Sequence, residues 1–132
     1  MFAEIFAVGM TALVIIHGLI HLIGFRVYAQ GAQVSDVPFK TMFLNGSLDL
    51  GISGTRIYGY LWLLSALGFI FAGVGFTLHI NGWQPVLIAA SLVSFLVTAM
   101  DWQIAFRGTL IDLGLLGATL LLPIAARFGI VL

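Results

Sequence analysis

The chain has 132 residues, 61% of them hydrophobic and 8% charged, with no cysteine and a formal net charge of zero. A soluble domain carries roughly 25% charged residues, so this composition excludes a water-covered globule. The balanced charge leaves no basic stripe to follow phosphates and excludes a nucleic-acid partner; the missing thiols exclude disulfides, iron–sulfur clusters and thiolate metal sites.

Four apolar segments appear, over residues 5–25, 57–78, 86–102 and 110–126. Each is close to the ~20 residues that cross ~30 Å of hydrocarbon, and helices satisfy every backbone group within the segment. The expected fold is all-α: one domain, residues 1–132, forming an integral membrane four-helix bundle. The first segment carries His17 and His21 one helical turn apart. A side chain that titrates is costly in hydrocarbon, so it is sheltered by protein and marks a candidate functional site. Val27-Tyr28-Ala29 has the spacing of a signal-peptidase site. Met1-Phe2-Ala3-Glu4 lacks a basic leader, however, and the apolar run exceeds a signal core, so the segment is expected to be retained.

The connection from Arg26 to Arg56 is the long one. Asp36-Val37-Pro38 reads as a cap and an early proline. Phe39, Met42 and Phe43 share a helical face and Gly46 can end the turn, predicting a short amphipathic helix on the cytoplasmic interface. The second segment carries Gly68 and Ala72, then Gly73 and Thr77, at small-xxx-small spacing, and the fourth carries Gly114 and Ala118 in the same way. Such pairs let helices approach closely, within one chain or between copies. In the third segment Pro85 fits the first turn. Ser91, Ser94, Thr98 and Asp101 line one face of it, a polar stripe expected to turn towards the polar stripe of the first helix. Pro123 should kink the fourth helix near Thr119.

Arg26, Lys40, Arg56 and Arg107 flank the connections after helices one and three, with Arg127 alone on the other side. That bias predicts cytoplasmic connections there and both termini outside. Trp83 and Trp102 sit at segment ends, as interfacial anchors do. At ~1.5 Å per residue, His21 and Asp112 both lie about 7.5 Å inside the cytoplasmic boundary. His21, Asp101 and Asp112 are therefore expected to share a layer.

That layer admits several chemistries. His17 and His21 could ligate a metal, completed by Asp101 or Asp112, although Gly18 rules out the H-E-x-x-H protease motif. Haem is disfavoured, because two imidazoles on one helix cannot clamp an iron from both faces and His79 lies at the opposite end of helix two. No cofactor is otherwise expected. An imidazole beside a carboxyl in a dry cavity can exchange protons, serving an isomerase, a hydratase or a relay. Transport is weakly supported, since no inverted repeat is visible.

His17-Gly18-x-x-His21-x-x-Gly24-Phe25, Gly59-x-Leu61-Trp62-Leu63 and Trp102-x-x-Ala105-x-x-Gly108-Thr109-Leu110 together resemble three blocks of a family of small bacterial four-helix membrane proteins of unknown function. The resemblance spans nearly the whole chain and implies the same four-helix fold and weight on both histidines. Ile104 stands where the family often carries an acidic residue, and Asp112 where it often carries Asn. No reaction follows from it.

The expected protein is a multi-pass component of a bacterial inner membrane, in contact with lipids and open to homo-oligomers or a larger membrane complex. Its candidate site has His21 as proton carrier, Asp112 as orienting partner, and His17, Asp101, Ser91, Ser94 and Thr98 around a pocket. That pocket would bind a small lipophilic ligand or relay protons. The alternative is an accessory structural subunit of a larger membrane complex, whose polar residues only lock its helices together.

Overall fold

A computed structural model describes residues 2–127. Its four long helices are α1 (Phe2–Gly24), α2 (Gly51–Thr77), α3 (Trp83–Met100) and α4 (Trp102–Arg127). Each contains a stretch long and apolar enough to cross a membrane. They form an up-down-up-down bundle. Thr11 meets Thr77 and Gly24 meets Trp62, while Ser94 meets Asp112 and Thr98 meets Thr109, so numbers rise on one helix as they fall on its neighbour. Backbone packing is sequential, α1 on α2, α2 on α3 and α3 on α4.

Burial is inverted relative to a soluble bundle. Ile16, Leu19, Ile20, Leu64, Leu67, Leu92, Leu96, Leu110 and Leu113 are exposed, whereas His17, His21, Ser91, Ser94, Thr98, Asp101, Thr109 and Asp112 are all buried. One apolar cluster, built on Val14, Phe69, Ala72, Leu87, Ala90 and Leu115, fills the half nearer the α2–α3 turn. A second, built on Val27, Tyr28, Phe43, Tyr58, Trp62 and Val97, fills the other half. The polar residues lie between them.

α1 does not stop at its expected end. It continues as a π-helical stretch over Phe25–Ala29 that buries Val27 and Tyr28, and Gly31, at φ +69°, supplies the left-handed residue that ends it. The wider π turn rests on α2. A Cβ on Gly59 would stand 2.3 Å from the Ala29 nitrogen, and one on Gly24 would stand 2.3 Å from the Trp62 ring. Both positions therefore need glycine.

The amphipathic helix expected around residues 36–46 is not formed. The chain instead makes an antiparallel hairpin, β1 (Met42–Phe43) with β2 (Leu48–Asp49), around Leu44, Asn45 and Gly46, all at positive φ. Phe43 explains the difference. Its ring is buried against Tyr28 and Tyr58, at centroid distances of 5.6 and 4.5 Å, so it plugs the bundle end while Phe39 and Met42 face out. A helix would have put Phe39, Met42 and Phe43 on one side; tertiary contact selected one of the three.

Helix limits also shift. α2 begins at Gly51 instead of near residue 57, and α4 at Trp102 instead of near 110, leaving Asp101 as the whole α3–α4 connection. The Asp101 carbonyl accepts from the backbone N–H groups of Ile104 and Ala105, at 3.0 and 2.9 Å, and so starts α4 at once. Pro85 does fall in the first turn of α3, and α4 runs through Pro123. Of the small-residue pairs, Gly68 packs on Ala90 and Gly73 on Ile15, whereas Gly114 faces open space. Arg26, Lys40, Arg56 and Arg107 all gather at the hairpin end of the bundle.

The π-turn contact predicts that Gly59→Ala lowers stability by about 1–3 kcal/mol, as overpacking does. Gly9→Ala, whose Cβ meets nothing within 4 Å, should leave the unfolding midpoint of the detergent-solubilised protein unchanged or slightly raised.

Candidate functional site

Six of the buried polar residues form one ring across three helices. α1 contributes His17 and His21, one turn apart; α3 contributes Ser94 and Thr98; α4 contributes Thr109 and Asp112. His17 Nε2 and Asp112 Oδ1 are hydrogen-bonded at 2.9 Å, linking α1 to α4. Ser94 Oγ lies 2.6 Å from Asp112 Oδ2 and 2.7 Å from His21 Nε2, linking α3 to both. Thr98 Oγ1 shares its hydrogen between the Ser94 carbonyl, at 2.8 Å, and Asp112 Oδ2, at 3.2 Å. Thr109 donates to Thr98 at 3.0 Å. α2 adds no hydrogen bond and seals the ring with aromatic faces. Phe69 lies 4.8 Å from the His17 ring and 5.5 Å from that of His21, and Trp62 lies 5.0 Å from His21.

Hydrogen counting restricts the protonation of this ring. His21 Nδ1 lies 2.8 Å from the His17 carbonyl oxygen, an acceptor, so Nδ1 carries a hydrogen. Ser94 has one hydroxyl hydrogen and two close neighbours. With His17 donating from Nε2 to Asp112 Oδ1, two arrangements satisfy every contact. In the first, Asp112 is a carboxylate, Ser94 donates to it, and a doubly protonated His21 donates from Nε2 to Ser94. In the second, Asp112 carries a hydrogen on Oδ2 and donates it to Ser94, and Ser94 donates to a neutral His21. A neutral His21 beside an ionised Asp112 would oppose lone pairs across one of these short contacts. The two satisfied arrangements interconvert when the Nε2 hydrogen passes to Ser94 and the Ser94 hydrogen passes to Asp112, with His17 donating to Oδ1 throughout.

The sequence-predicted residues divide. His17, His21, Ser94, Thr98 and Asp112 come together. The direct partner of Asp112 is His17, and His21 reaches it through Ser94. Asp101 lies apart from them, one turn beyond Thr98 at the hairpin end. There it accepts from the Tyr28 hydroxyl and from Lys40 Nζ and borders a 210 Å³ polar cavity with Lys40, Asn45 and Gln103. The separation is helical: Asp101 ends α3, while Asp112 is near mid-bundle on the returning helix. Ser91 is buried, and its hydroxyl makes no hydrogen bond. The other residues expected to line a ligand pocket border neither this cavity nor the larger one near the α2–α3 turn.

Several members were absent from the sequence reading. Tyr28 continues the α1 face of His17, His21 and Gly24 at helical spacing, and Thr109 precedes Asp112 by three residues on α4, so periodicity carried both signals. Lys40 had no local signal; a buried Asp101 in need of a cation was the only clue. Trp62 and Phe69 read as ordinary apolar positions. Among the described residues, no three His, Asp or Glu side chains converge as a metal-ligand set. Comparison with family models, curated proteins and solved structures gave no significant match.

Asp112→Ala would leave the His17 and Ser94 donors without their acceptor. The expected loss is about 1–3 kcal/mol in denaturant unfolding, with Asp112→Asn intermediate because its amide oxygen still accepts from His17. Equal midpoints for Asp112→Ala and wild type would refute the ring.

Proposed function

We propose that this chain is a multi-pass membrane protein whose His17–Asp112–Ser94–His21 ring relays protons within the bundle. The observation that supports this most is the position of Ser94 Oγ, 2.7 Å from His21 Nε2 and 2.6 Å from Asp112 Oδ2. A hydroxyl so placed passes one hydrogen on as it receives another. His21 is then the proton carrier and Asp112 its counterpart, with His17 a positioning residue that holds the carboxyl. The apolar exterior and polar interior suit a hydrocarbon solvent. On this reading the hairpin end, with Arg26, Lys40, Arg56 and Arg107, faces the cytoplasm of a bacterial inner membrane, and the termini lie outside. The three sequence blocks resemble those of the small four-helix membrane family described above.

A second reading, an accessory subunit of a larger membrane complex, draws on the outer face of α4, where a Cβ on Gly114 or Gly117 would meet nothing within 4 Å. Close helix packing by a partner suits such a surface.

Proteoliposomes with an internal pH dye separate the two readings. The relay reading expects dissipation of an imposed pH gradient faster than in empty vesicles. Ser94→Ala should slow it at least tenfold, while Thr119→Ser should have no effect. Wild-type vesicles indistinguishable from empty ones would remove the relay and leave the subunit reading.

Orientation has its own measurement. The chain lacks cysteine, so single replacements at the exposed Gln33 and His79 report cleanly. In intact cells a membrane-impermeant maleimide should label His79→Cys and spare Gln33→Cys; the reverse pattern would invert the topology.

A further inference from the structure

A half-open cavity of about 310 Å³ lies at the α2–α3 end of the bundle, separated from the polar ring by Val14 and Leu87. All four helices line it, through residues 10–14, 72–76, 83–87 and 118–119. Three polar residues on three helices reach it, Thr11, Gln84 and Thr119, and no charged side chain is among its described lining.

Its chemistry starts with Pro123. Proline has no N–H, so the Thr119 carbonyl, four residues earlier, loses its helical donor. Gln84 Nε2 donates to that carbonyl at 3.3 Å, a long contact that leaves the oxygen with spare capacity. The Thr119 hydroxyl is turned back onto the Leu115 carbonyl at 2.6 Å, and the hydroxyls of Thr11 and Thr77 engage each other at 3.2 Å. The cavity edge therefore offers the Thr119 carbonyl together with the remaining donor and acceptor capacity of the Gln84 amide, and no charge among its described lining.

Its described lining is short along the bundle axis. By its described lining, α1, α2 and α3 each contribute about one turn of wall, roughly 6 Å along the bundle axis at ~1.5 Å per residue, and α4 contributes two adjacent residues. A compact ring matches this lining better than an extended acyl chain lying along the axis. Phe76 and Trp83 supply an aromatic wall, edge to face at 4.9 Å. A few convergent polar groups in an otherwise apolar cavity of this size are the ordinary makings of a small-molecule site.

We propose that this cavity binds a compact, neutral, ring-bearing lipophile whose single hydroxyl donates to the Thr119 carbonyl. The site is separate from the polar ring and does not depend on proton relay.

Methionine-methyl NMR of the purified chain tests it with 2-naphthol as the probe. Met10 lines this cavity, whereas Met42 and Met100 line the one at the hairpin end and serve as internal references. The expected result is a saturable shift of the Met10 methyl with both references unmoved. Naphthalene should need at least tenfold more to saturate, and n-decanol should give no saturation. Ala118→Leu should weaken 2-naphthol and Ala118→Phe abolish it, with the Met42 and Met100 resonances reporting that each variant is folded. A Met10 shift that grows linearly with probe, that is matched at Met100, or that survives in a folded Ala118→Phe variant would overturn the site. Equal affinity for naphthalene would overturn the hydroxyl contact. Gradient dissipation in proteoliposomes is read without 2-naphthol, so either idea can fail alone.

Discussion

The structure depends on mutual shelter of polar groups inside a bundle whose outer surface is apolar. His17, His21, Ser94, Thr98, Thr109 and Asp112 are buried, and an unpaired polar group in such a place costs several kcal/mol. Each therefore takes its partner from another helix or from its own backbone. The α1–α4 seam shows the consequence. The extensive backbone packing runs in chain order and does not include that pair, so the His17–Asp112 hydrogen bond and its neighbours set how the first helix meets the last.

The two ends of the bundle solve different problems. At the hairpin end, Asp101 is both the α3–α4 connection and a buried carboxyl, held by Tyr28 and Lys40. The π-helical stretch brings Tyr28 there, the loop brings Lys40, and Phe43 seals the gap between them. At the α2–α3 end the packing is looser. The carbonyl freed by Pro123 and the amide of Gln84 border a space wide enough for a small molecule. Between the ends, the ring packs against Phe69 and Trp62, and neither of the two cavities borders the imidazoles.

This separation changes the functional picture that the polar residues suggested at first. A single pocket holding His17, His21, Asp101 and Asp112 would have joined ligand and proton chemistry at one place. The molecule separates the residues: a carboxyl–lysine contact at one end, a hydrogen-bonded ring in the middle, and a largely apolar cavity at the other end. Ser94, in the sequence one of several hydroxyls on a stripe, becomes the residue through which His21 and Asp112 communicate.

Four helices, their approximate spans, and the meeting of Ser94 and Thr98 with His17, His21 and Asp112 were legible without coordinates, whereas Ser91 and Asp101 of the same stripe do not join them. Hydrophobic run length and 3.6-residue periodicity are properties of a segment by itself. The same periodicity already carried Tyr28 and Thr109. The hairpin in place of an amphipathic helix, the one-residue α3–α4 connection, the pairing of Lys40 with Asp101 and the choice of His17 as the direct partner of Asp112 were decided only by tertiary structure. Each depends on which of several chemically equivalent groups a neighbouring helix brings within hydrogen-bond or packing distance, and local spacing along one helix does not contain that information.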